Sequence, residues 1–203
     1  MGLHFLRDGQ IMGKGKIIIL SGPSGAGKTT LYKKLLARRE LRRKLVKTTS
    51  VTTRPMRPGE RNGRDYFFVN RKMFAHKKAA GHFLESEKVF GNDYGTPHKQ
   101  VKDFLASGKH VLLCIDVKGA KTVCRKFPRA VKIFIKTSSL AVLKERLRKR
   151  GSEARAAMEA RLETARRELK EAKGYDHIVV NDNLKKAARR LERIVYSEIQ
   201  TKL

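Results

Sequence analysis

Four short apolar runs punctuate the chain: Ile17-Ile18-Ile19-Leu20, Val111 to Ile115, Val131 to Ile135 and Ile178-Val179-Val180. Apart from Lys132 they are continuous rather than alternating, as strands buried on both faces of a parallel sheet are. Between and after them the spacing changes to three and four residues. A helix is expected from about Lys28 to Leu45, another in LAVLKERLRKR after Ser139, and a third in LKKAARRLERIVYSEI after Asn183. Strands alternating with helices give a parallel central sheet with helices on both faces, a three-layer α/β architecture. The stretch from about Thr48 to Pro97 breaks the rhythm. Short aromatic and β-branched pieces (Tyr66 to Val69, Phe83-Leu84, Val89-Phe90) stand between Gly, Asn and Pro turns, which reads as a small β-rich lobe inserted into the core.

A chain of 203 residues suits one α/β core with an appended lobe rather than two independent domains. The expected layout is a flexible N-terminal extension over 1–15 and a folded unit over 16–203. The core of that unit takes 16–47 and 98–203, the lobe about 48–97, and a mobile lid about 146–165. No run reaches the roughly 20 apolar residues of a membrane span, and the N-terminus lacks a secretory pattern. Two cysteines, Cys114 and Cys124, fall in or beside core segments rather than in a regular framework, which points to a reducing, cytoplasmic setting; the six histidines are scattered without zinc spacing. The unusual property is charge: 48 Lys and Arg against 19 Asp and Glu, a net +29. Such a field attracts polyanions, although the basic residues are spread along the chain and mostly suit solvated helix faces.

Chemistry enters with Gly22-Pro23-Ser24-Gly25-Ala26-Gly27-Lys28-Thr29. This run fits G-x-x-x-x-G-K-[ST] and lies between an expected strand and an expected helix. Its glycines let backbone N–H groups turn in around a β-phosphate, and the helix N-terminus adds a positive dipole end. Lys28 is placed to hold the β- and γ-phosphates and Thr29 to ligate Mg²⁺. The loop fixes triphosphate binding but not the acceptor. In the inserted lobe, Ser50-Val-Thr-Thr-Arg54-Pro-Met-Arg57-Pro-Gly-Glu-Arg-Asn-Gly-Arg-Asp-Tyr66, then Phe83-Leu-Glu85 and Gly91-Asn-Asp-Tyr94-Gly95-Thr96-Pro97, gather arginines, tyrosines and a carboxylate. These groups suit a phosphate-and-base pocket: Arg for bidentate phosphate contact, Tyr hydroxyls as donors, a carboxylate for a base edge bearing N–H groups.

Taken together, these motifs resemble those of guanylate kinases, in family order from Lys16 to Leu191. The resemblance implies a P-loop fold with a GMP-binding lobe and a helical lid, and transfer of the ATP γ-phosphoryl to GMP and dGMP with Mg²⁺. It assigns the triphosphate side to Gly22 through Thr29, with Thr30 and Asn181, the latter toward adenine. It assigns the GMP phosphate to Arg54, Arg57, Tyr66 and Tyr94, and the guanine side to Ser50, Glu85 and Thr96. Asp116 would lie near both guanine and a metal-bound water. Arg150 and Arg161 match the two lid arginines that neutralise charge on the transferred group, with Lys28 and Arg54 completing the catalytic set. Arg146 is a further candidate by its spacing from Arg150. Guanine presents N1–H and N2–H₂ donors where adenine presents an N1 acceptor, so Glu85 favours GMP over AMP.

Two departures stand out. The family usually carries an acid two residues before the aspartate at 116; here that position is Cys114, on the same strand face as Asp116. The turn after Arg150-Gly151 keeps Glu153 but adds Arg155. Three rival readings remain at this point: a non-catalytic guanylate-kinase-like interaction module, a kinase of the same build for another phosphate such as a ribose bisphosphate, and a basic nucleic-acid-binding protein. Oligomeric state is not specified by any of these residues.

Overall fold

In the computed structural model, residues 15–149 and 155–200 are described. In chain order the elements are β1 (Ile17–Ser21), α1 (Lys28–Leu36), α2 (Arg39–Lys44), β2 (Leu45–Lys47), β3 (Val51–Thr52), β4 (Phe67–Phe68), α3 (Arg71–Ala79), β5 (Phe83–Val89) and β6 (Asn92–Pro97). There follow α4 (His98–Ala106), β7 (His110–Cys114), α5 (Val117–Lys126), β8 (Val131–Lys136), α6 (Leu140–Lys149), α7 (Arg155–Lys170), β9 (His177–Val180) and α8 (Leu184–Gln200).

The central sheet has the order β2-β7-β1-β8-β9, with every pairing parallel. All five residues of β1 are buried, and the period of two sends them to opposite faces. Ile18 and Leu20 pack with Leu31 and Leu35 of α1 and Leu191 and Val195 of α8. Ile17 and Ile19 pack with Val101 and Leu105 of α4 and Ala120 and Val123 of α5. The three-layer α/β fold read from the sequence is therefore the fold observed. A second sheet, β4-β3-β6-β5, is antiparallel at β3–β6 and β5–β6 and parallel at β3–β4.

The expected helix from Lys28 to Leu45 is divided. It stops at Ala37, and Arg38 turns extended (φ −74°, ψ 117°) before the short α2. Leu45–Lys47 then pairs with His110 to Leu112 of β7 as an edge strand, a gain in sheet hydrogen bonding that local helical propensity does not register. Helices α3 and α4 were also not anticipated, and the helix that follows β7, α5, was expected without bounds. Asn70 and Asp116 cap α3 and α5, accepting from the N–H groups of Met73 (2.8 Å) and Gly119 (2.7 Å), signals that short polar runs hide. The expected extension over 1–15 lies, except for Gly15, outside the described residues, and so do Arg150 and Glu153 of the expected lid.

Candidate active site

The loop between β1 and α1 opens onto a cleft of about 270 Å³ whose walls come from both sheets. Two glycines explain its path. Gly22 has φ 134°, and a Cβ there would sit 2.0 Å from the Ile135 carbonyl oxygen. Gly27 has φ 92°, and a Cβ would sit 2.3 Å from the Asn181 side-chain amide. Gly27 is also the N-cap of α1, with no side-chain cap and no acid in the first turn. Unlike α3 and α5, α1 therefore keeps its first N–H groups available to an external anion. The Lys28 ammonium folds back to donate to the carbonyls of Gly22 and Pro23 (the latter at 3.0 Å).

Of the residues assigned to the triphosphate side, Gly22, Ser24, Gly25, Gly27, Lys28 and Thr29 line the cleft. Pro23 and Ala26 are buried in the body of the loop, and Thr30 is exposed on α1. Asn181 lies behind the loop, 3% exposed; its Nδ2 donates to the Ala26 carbonyl at 2.8 Å and its Oδ1 is buried without a partner. This arrangement buttresses the loop from beneath.

The facing wall carries Ser50, Arg54, Arg57, Tyr66, Glu85 and Tyr94. Arg54 is fixed by a fork onto both Glu60 carboxylate oxygens (2.8 and 2.9 Å) and a bond to the Pro55 carbonyl (2.6 Å). Its guanidinium lies over the rings of Tyr66 (5.5 Å) and Phe68 (5.7 Å), and Tyr66 meets Tyr94 edge-on. Asp65 anchors the preceding turn. Burial would raise its pKa, but bonds from Arg64, the Arg61 N–H and Lys33 outweigh that and hold it at about 2. Behind this wall, Thr96 is fully buried and donates to Glu85, itself 5% exposed. Burial pushes the Glu85 carboxyl up to about 7, with the nearby Asp116 charge adding to the shift.

Asp116, the N-cap of α5, projects into the same cleft, with its pKa raised by burial. Among the described residues no group of three His, Cys, Asp or Glu side chains could hold a metal ion. A magnesium ion bound chiefly by phosphates needs only one or two protein oxygens, and the Thr29 hydroxyl beside Lys28, with Asp116 across the cleft, fits that demand. Cys114 also lines the cleft, its thiol pushed up by burial with Lys28 and Lys47 opposing. From α7 come Arg161, whose guanidinium stands 5.1 Å from the Phe90 ring centroid, and Glu168. Burial pushes Glu168 up to about 7, with Lys28 pulling it down and Asp116 pushing it further up. Arg146 instead donates weakly to the Asp182 carbonyl at 3.3 Å.

Sequence reasoning gave no role to Glu60 or Glu168. Glu60 lay in plain view inside the lobe motif, three residues after Arg57, and an acid spaced to reach back to Arg54 was the available signal. Glu168 offers none, because only the packing of α7 brings it opposite Lys28.

An open helix end for a triphosphate faces an arginine–tyrosine cluster and a buried carboxyl, all in one cleft. That arrangement defines the class: a P-loop kinase of nucleoside monophosphates. Comparison with known proteins narrows it. The guanylate kinase family model matches residues 14–198, and the chain belongs to that family. A guanylate kinase of Gloeobacter violaceus is 46% identical over 184 residues, 91% of this chain and 88% of the relative. One from Thermotoga maritima is 43% identical over 185 residues, with 91% and 88% covered. The crystal structure of guanylate kinase from Anaplasma phagocytophilum superposes with a TM-score of 0.75 at 35% identity, covering 93% of this chain and 88% of that one.

Proposed function

We propose that this chain transfers the γ-phosphoryl group of ATP to GMP, and to dGMP, releasing ADP and GDP or dGDP. The observation that carries the reading is the shared cleft, in which the uncapped N-terminus of α1 faces the Arg54–Tyr66–Tyr94 wall and the buried Glu85–Thr96 pair. The loop amides and Lys28 hold the β- and γ-phosphates. Arg54, Arg57, Tyr66 and Tyr94 hold the acceptor phosphate. Ser50, Glu85 and Thr96 read guanine, Glu85 accepting from N1–H and N2–H₂ where adenine would oppose it with a lone pair. An acceptor phosphate oxygen attacks the γ-phosphorus as the bond to the β–γ bridging oxygen breaks. The acceptor is already ionised, so no strong base is required, and positioning with charge neutralisation does the work.

Thr29 directly, and Asp116 through water, would hold Mg²⁺, which neutralises charge on the donor phosphates. Arg161, with Arg150, balances charge on the group in flight. Closure of the lobe (about 48–97) and lid (about 146–165) on the core excludes water. Asn181 supports the loop and borders the adenine side. Cys114 and Cys124 are free thiols, in keeping with a cytoplasmic setting.

The test is ADP formation from ATP with GMP, dGMP, AMP or UMP, run beside Lys28→Met. Turnover with GMP and dGMP, and its loss in Lys28→Met, is expected. Absence of ADP with every acceptor would leave a non-catalytic binding module.

A further inference from the structure

The positive charge of this chain is not concentrated where its substrates bind. Among the described residues, four cations (Lys28, Arg54, Arg57, Arg161) line the cleft beside six carboxyl groups (Glu60, Asp65, Glu85, Glu87, Asp116, Glu168). The chain as a whole carries 48 Lys and Arg against 19 Asp and Glu, so phosphate chemistry in the cleft does not account for the surplus.

Part of that surplus forms one surface. Arg39, Arg43 and Lys44 of α2 are exposed on the side that carries Glu40, as are Arg189 and Arg193 of α8; Arg42, two residues beyond Glu40, turns instead to a groove lined by Arg64 and Phe104. The two helices are tied together: Arg38, just before α2, pairs with Glu192 at 3.0 Å, and the Tyr196 hydroxyl donates to Glu40 at 2.6 Å. Positions 189, 192, 193 and 196 share one helical stripe, so Arg189 and Arg193 flank these ties and face the α2 side. The acids in the ties, Glu40 and Glu192, are already engaged. Among the described residues, no carboxylate lies within ion-pair distance of Arg39, Arg42, Arg43, Arg189 or Arg193. Arg39 with Arg43, and Arg189 with Arg193, are like charges at i,i+4, an arrangement that opposes helix stability and is relieved by a bound polyanion.

The surface lies away from the cleft. α2 leads into Leu45, paired with His110 at the start of β7, and Lys109 donates to the Arg43 carbonyl. Lys16, just before β1, donates to the Glu198 carbonyl at 2.7 Å, which brings the end of α8 to the same edge. The phosphate loop and Asp116 follow the other ends of β1 and β7, about 16 Å of strand away. Among the described residues, the exposed large apolar side chains are Met56, Phe67, Met73, Phe90 and Val180, none of them on α1, α2 or α8. The surface therefore has nothing to insert into a lipid layer, and its chemistry suits a repeating anion recognised by charge.

We propose that the face formed by α2 and the adjoining stripe of α8 is a second binding site, which takes the sugar-phosphate backbone of a nucleic acid without sequence selection while the cleft stays free. The test is fluorescence anisotropy of a labelled 20-nucleotide oligouridylate and a 20-base-pair DNA duplex across a salt series, using the full chain. With five cations engaged, log K should fall against log salt with a slope of about −4.5 for the duplex and about −3.5 for the single strand. The variant R39Q/R43Q/R189Q/R193Q should weaken binding at least about tenfold at low salt and flatten the duplex slope by about 3 to 4, with turnover of GMP unchanged. R39Q/R43Q alone should flatten it by about half as much. K72Q/K78Q/K99Q/K170Q removes the same charge from other exposed positions and should change the slope little. An equal loss in both four-site variants, displacement of the nucleic acid by saturating ATP and GMP, or binding confined to anionic vesicles would each overturn the proposal.

Discussion

The two walls of the cleft are made of different material. The triphosphate wall is mostly backbone: a strand, a glycine loop and an uncapped helix end, held in shape by glycine conformations and by Asn181 beneath. The facing wall is mostly side chain: Arg54 clamped by Glu60 over the Tyr66 and Phe68 rings, Tyr94 edge-on to Tyr66, and Glu85 held by Thr96. A backbone site tolerates changes in the side chains around it but not a changed chain path. A side-chain site keeps its fold through substitution and loses selectivity one group at a time.

The sharpest way to break this contrast is at Gly22. In Gly22→Ala the new Cβ meets the Ile135 carbonyl at 2.0 Å in a left-handed conformation, and neither the β8 backbone nor the loop can yield. The expected result is a stability loss of more than about 2 kcal/mol in denaturant melts together with loss of ATP binding. On the facing wall, Glu85→Gln should fold normally, leave ATP binding intact in calorimetry and lower kcat/KM for GMP by about a hundredfold.

The same residue gives the comparison a pH signature. Burial holds the folded Glu85 carboxyl near 7, above its ordinary value. A carboxyl raised on folding contributes stability that is fully present below its unfolded pKa of about 4.3 and is lost as pH rises through about 7. Thermal melts should therefore show Glu85→Gln stabilised relative to wild type at pH 8 and nearly matched at pH 5. Since guanine needs the ionised form as acceptor, wild-type GMP affinity should rise between pH 6 and 8, and that rise should flatten in the variant.

A smaller effect is expected at Glu60→Gln, which loosens Arg54 without removing it. KM for GMP should rise about tenfold, with KM for ATP unchanged. The smallest concerns Cys114→Asp, which restores a carboxylate beside Asp116; activity should stay within about threefold of wild type or improve, and a large loss would give the thiol a role of its own.

The same contrast governed how much could be read from the sequence. The phosphate loop is local, eight consecutive residues between a β-branched run and a helical pattern, so its fold was legible directly. So were the four buried strands, whose apolar runs have no competing explanation. The three residues of β2 were hidden because Leu45–Lys47 is a strand only in the presence of β7. In the facing wall the arginines, tyrosines and Glu85 were legible through resemblance to guanylate kinases. The clamp on Arg54 and the approach of Glu168 to Lys28 depend on how the chain packs, and no local spacing specifies them.

The central claim is that this cleft accepts GMP because Glu85 matches the donors of guanine. Its most direct test is the ratio of kcat/KM for GMP to that for AMP, measured with saturating ATP in wild type and in Glu85→Gln. A wild-type ratio above about a thousand, collapsing in the variant, is the result expected of a buried acceptor built to pair with substrate N–H groups. A wild-type ratio near one, or a high ratio unchanged by the substitution, would contradict it.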